Sequence, residues 1–79
     1  LSNEIPSAQS FLERAEKTYR AAIIEIGDDD FRVSYSRRLK NAVEAHYLMM
    51  KSVGLVGEAE KLKDRLAQVE EEFAKYLNQ

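Results

Sequence analysis

Apolar residues recur along this chain at steps of three and four, in three runs separated by two short breaks. The first run is Ile5, Ala8, Leu12, Ala15, Tyr19, Ala22 and Ile26. The second is Tyr35, Leu39, Ala42, His46, Met49 and Val53. The third is Leu55, Ala59, Leu62, Leu66, Val69, Phe73 and Tyr76. Such spacing places each run on one side of an α-helix, and sustained strand-like alternation occurs nowhere. The pattern predicts helices over residues 6–26, 30–53 and 57–77. The apolar arcs are broader than a two-stranded seam requires. Phe11 and Ile23 flank the first, Phe31, Val43, Tyr47 and Met50 widen the second, and Leu77 widens the third. The second arc is the widest, as expected of a helix that touches both others. Short connections make sequential helices antiparallel neighbours, so the expected fold class is all-α: an antiparallel three-helix bundle around one core.

The breaks carry their own chemistry. In Gly27-Asp28-Asp29-Asp30, the glycine is expected to take positive φ and close the first helix, with an aspartate as the next N-cap. A cation-binding reading of the same acids fails, because the alternating ligands, central Gly and terminal Glu of a calcium loop do not follow. The second break is Gly54-Leu55-Val56-Gly57, with Glu58 and Glu60 just beyond it. Pro6 suits the first turn of a helix capped by Asn3 or Ser7.

With 79 residues and no cysteine, the chain has room for one domain, residues 1–79, and none for disulfides or thiolate metal sites. Its start at Leu1 fits a piece of a longer chain. No apolar run approaches the length of a membrane helix and no leader pattern is visible, so a cytoplasmic setting is expected. The formal net charge of −2 argues against bulk affinity for nucleic acid. Residues 28–54 nevertheless carry +1, against −1 for 1–27 and −2 for 55–79. Arg32, Arg37, Arg38 and Lys40 form the basic cluster of that middle segment, and the Arg32–Lys40 stretch is the basis of an alternative reading as a small regulatory nucleic-acid binder. Glu70-Glu71-Glu72 is its acidic counterpart. Glu13–Lys17, Glu16–Arg20 and Glu71–Lys75 sit at the helical i,i+4 spacing of solvated ion pairs.

Ala15-Glu16-Lys17 recurs 44 residues later as Ala59-Glu60-Lys61. The first copy continues to Tyr19 and Ala22, and the second follows Gly54 in the run Gly-x3-Glu-Ala-Glu. Over about residues 15–66 the chain resembles tetratricopeptide-type repeats, in which a small residue lets two helices approach and an aromatic packs on the next. It departs from that pattern at Lys63, Leu66 and Tyr47. The resemblance implies protein or peptide binding without chemistry.

His46 is the single histidine. No second His or Cys is available to complete a metal site, residue 43 is Val rather than the Glu of a di-iron helix, and no nucleophile–base–acid set is visible. No catalytic, cofactor or metal residues are therefore assigned, and no cofactor is expected. His46 falls between Ala42 and Met49 and reads as a core histidine. Leu48 and Ile24, by contrast, fall opposite the stripes of their helices at 100° per residue, and Val33 lies well off its own. The function expected is a non-enzymatic protein–protein interaction or assembly module. Ile24, Val33 and Leu48 would be its apolar contacts, Arg37 and Arg38 its polar rim, and another protein or a second copy its partner.

Overall fold

The structure, a computed structural model, describes residues 4–78, for Ile5 the backbone alone. The expected cap Asn3 and the Ile5 side chain thus lie outside the described residues. The elements are α1 (Glu4–Glu25), α2 (Asp29–Ser52), α3 (Val56–Glu72) and the short α4 (Ala74–Leu77), with no strand among the described residues. The fold is all-α, and the three long helices begin and end within two residues of the predicted bounds, except at the end of the third.

Local chemistry accounts for most boundaries. Asp28 is the N-cap of α2, its Oδ1 accepting from the Phe31 N–H at 3.1 Å. Ser7 lies inside α1 rather than at its cap. Gly54 carries φ +82°, and the N–H groups of Leu55 and Gly54 donate to the carbonyls of Met50 (2.9 Å) and Lys51 (3.2 Å). This is the paired 6→1 and 5→2 closure of a Schellman C-cap, with glycine at the left-handed position. Gly27 is different: its φ is not positive. The end of α1 is closed instead by the Ile26 N–H donating to the Ala22 carbonyl at 3.0 Å and by Arg32 Nε donating to the Ile23 carbonyl at 3.3 Å.

The predicted third helix is interrupted. Phe73, with φ −110° and ψ 21°, leaves helical geometry between α3 and α4 and is buried. No proline or glycine marks this step.

Packing centres on α2. Its buried residues are Ser36, Leu39, Val43, His46 and Met50, a strict three–four–three–four seam. The seam of α3 and the break beyond it repeats that spacing: Ala59, Leu62, the half-buried Leu66, Val69 and Phe73. Two such seams interdigitate as in a coiled-coil hairpin. The buried line of α2 is therefore rotated from the predicted stripe: Tyr35, Ala42 and Met49 are only half-buried and Val53 is exposed.

The interior forms two apolar clusters rather than one core. Ile23, Leu39, Val43, Val69 and Phe73 make one, joined by Tyr19, Tyr35, Leu66, Tyr76 and Leu77. Met50, Ala59 and Leu62, with Tyr47 and Met49, make the other, to which no described side chain of α1 belongs. α1 and α3 each pack on α2, yet no described Cα of α1 lies within 8 Å of one in α3. Long side chains span that gap. Arg20 pairs with Glu72, and Arg65 Nη1 lies 3.2 Å from Glu16 Oε1. Glu16 and Arg20, expected to pair along one helix, thus both reach across to α3. Ala15 and Ala59, the small residues of the internal echo, both face α2, which is what any close helical hairpin requires.

Truncation of Leu39 to Ala, at the centre of the larger cluster, is expected to cost about 2–5 kcal/mol in chemical denaturation. Gly54→Ala places a Cβ in open space but forces φ +82° on an L-residue, and its expected cost is about 1–2 kcal/mol. Equal stability of either variant and the parent would contradict the packing or the cap described.

Candidate functional site

Two features of the surface stand out, one on either side of the N-terminal half of α1. The first is an apolar face. Phe11, on the flank of the predicted stripe, is 69% exposed. Two open depressions meet beside it. One, about 290 Å³, runs between α1 and α2 and is lined by Phe11, Leu12, Ala15, Tyr19, Arg38, Asn41 and Ala42. The other, about 240 Å³, lies along α1 itself, with Arg14 and Thr18 beside the shared Phe11, Ala15 and Tyr19. Tyr19, which lines both depressions, continues into an aromatic row on α2. Tyr19 meets the edge of Tyr35 at 5.6 Å between centroids, and Phe31 stacks on Tyr35 at 3.9 Å. The Arg38 guanidinium sits 5.1 Å over the Tyr35 ring. Among the described residues, the charged groups lining either depression are Arg14 and Arg38.

The second feature is a polar cavity of about 90 Å³ in the gap between α1 and α3. It is walled by Gln9 and Glu13 of α1 and by Glu58, Lys61, Leu62 and Arg65 of α3, with His46 of α2 at its floor. His46 is 3% exposed, and its Nε2 has no hydrogen-bond partner among the described residues. Burial lowers its pKa from 6.5, and Arg65 adds to this, while Glu13, Glu16 and Glu58 oppose it. His46 thus lies beside carboxylates, and among the described residues of the walls there is no hydroxyl or thiol for it to activate. Among the described residues no group of three His, Cys, Asp or Glu is placed to hold a metal ion.

The residues expected from the sequence to form a contact surface are spread along the molecule. Ile24 is 70% exposed at the end of α1. Val33, in the first turns of α2, is half-buried. Leu48 is 53% exposed but lies 15 residues further along α2, about 22 Å at 1.5 Å per residue. It sits towards the α2–α3 turn, where Val53, Leu55 and Val56 are also exposed. Arg37 and Arg38 are exposed between these ends, and Arg38 alone of the expected set lines the Phe11 face. Of the basic cluster, Arg32 is engaged internally, with the Ile23 carbonyl and with Asp29 at 3.6 Å. The sequence does not single out the Phe11 face, because Phe11 flanks the apolar stripe of α1 and which flank is covered depends on where the third helix lies.

No family model matches the sequence, and no curated protein or solved structure matches it either. Among the described residues no helix is long and apolar enough to cross a membrane.

The pH dependence of folding follows from His46. Its pKa is lower in the folded chain than in the unfolded one, so between the two values the unfolded state binds more protons. Stability is then full above about pH 6.5 and falls as the pH drops through that value towards the folded pKa. His46→Gln removes this dependence. Urea denaturation at stepped pH should show a smaller loss between about pH 7 and 5 for the variant than for the parent; identical slopes would contradict the assignment.

Proposed function

We propose that this chain is a non-enzymatic module for protein–protein interaction or assembly, an antiparallel three-helix bundle acting in the cytoplasm. The observation that carries this reading is the exposure of Phe11 where two apolar depressions join. A large aromatic left in water costs free energy that contact with a partner recovers, at about 25 cal/mol per Å² of apolar surface covered. Aromatic anchors flanked by arginine are the composition that binding hot spots favour. Exposed Ile24 near one end and Leu48 with the α2–α3 turn at the other provide further apolar surface, which suits a chain that assembles with neighbours along its length. The resemblance to tetratricopeptide-type repeats points the same way.

The alternative, a nucleic-acid binder using Arg32–Lys40, has less behind it. Arg32 is committed to the α1–α2 corner, and the chain as a whole is acidic.

A photoreactive phenylalanine analogue in place of Phe11, with a second chain carrying it at the exposed Lys63 on α3, tests the interaction reading. Crosslinking in native lysate is expected to give adducts of discrete mass from position 11 and not from position 63. The same adducts from both positions, or none from position 11, would sink the proposal.

A further inference from the structure

Resting on the interaction reading above, we infer that the Phe11 face receives an acidic amphipathic helix from a different protein. Charge selects the class of partner. In a chain of net charge −2, the charged side chains lining the two depressions are Arg14 on one and Arg38 on the other, with no carboxylate among the lining residues. The acids of α1 nearest in sequence turn elsewhere: Glu13 walls the His46 cavity and Glu16 pairs with Arg65. An apolar floor with a cationic rim is complementary to an apolar stripe flanked by Asp or Glu.

Shape selects the helix. Phe11, Ala15 and Tyr19 stand one turn apart along α1, a row of about 12 Å, which matches anchors at i, i+3 or i+4 and i+7 on a docked helix. Among the described residues there is no strand whose edge an extended peptide would pair with.

A second copy of this chain fits less well. Two-fold pairing of Phe11 faces would set the arginine rim of one copy against that of the other. The acidic surface of α3 lacks an anchor, because its exposed positions from Glu58 to Glu72 hold only charged residues, Ala67 and Gln68.

Two synthetic amphipathic helical peptides of roughly 18 residues provide the probe, long enough to cover the row. They share one leucine stripe and differ in having glutamate or lysine on its flanks. Fluorescence anisotropy with the full chain is expected to show the acidic peptide binding at least about tenfold more tightly, with the advantage shrinking at high salt. The double variant Arg14→Glu/Arg38→Glu should reverse the preference, and Phe11→Ser should abolish binding of both peptides, with helical content by circular dichroism unchanged in each. Equal binding, or a preference for the lysine peptide that still needs Phe11, overturns the acidic partner and leaves the interaction reading standing. Binding that ignores Phe11→Ser, or no binding by either peptide, overturns the inference together with the use of this face. A dimer in solution that Phe11→Ser dissolves makes a second copy the occupant and overturns it as well.

Discussion

The contact between the α2 seam and the α3 seam is the constraint on which the rest of this structure depends. Ser36, Leu39, Val43, His46 and Met50 face Ala59, Leu62, Leu66, Val69 and Phe73, each row stepping by three and four. This hairpin consumes the most apolar side of α2 and leaves its flank for α1. The seam is not uniformly apolar. Ser36 Oγ and His46 Nε2 are buried without a hydrogen-bond partner among the described residues, and each such group opposes folding. In a domain this small, with no cysteine, the aliphatic and aromatic members must outweigh those terms by themselves.

The attachment of α1 follows from that geometry. Its C-terminal half joins the larger cluster through Tyr19 and Ile23 and is tied to α3 by the Arg20–Glu72 pair. No described Cα of its N-terminal half lies within 8 Å of one in α3. That half spans a polar cavity on one side and presents Phe11 to solvent on the other. A helix so placed is both well positioned and incompletely covered, and the arginines beside Phe11 give the uncovered side a chemical preference. Ion pairs across this gap, each with a partly exposed partner, contribute little to stability.

Much of the architecture was legible in the residues. Three-and-four spacing locates the long helices, an aspartate of the first break is the expected N-cap, and Gly54 lies in the second expected break, although the positive φ expected at Gly27 occurs at Gly54 instead. The rotation of α2 was not legible. Its apolar arc is broad, so Tyr35, Ala42 and Met49 compete with Val43 and Met50 for the centre, and a buried serine at position 36 hides the true line. The break at Phe73 was equally silent, because no proline or glycine marks it. For the candidate site, angular position on a helix identified Ile24 and Leu48 as exposed, as they are. Angle alone does not report distance along the axis, which separates them, nor does it say which edge of the α1 arc lies uncovered. From the sequence alone Phe11 therefore reads as a flank of the core stripe.

Native-state hydrogen exchange tests most directly whether α2 is the shared spine. The amides of Leu39, Val43 and His46 should exchange only through global unfolding, at the free energy that denaturation gives, while those of residues 8–15 in α1 exchange through a smaller local opening. Protection across residues 8–15 equal to that of α2, or α2 amides that open before α1, would contradict the account.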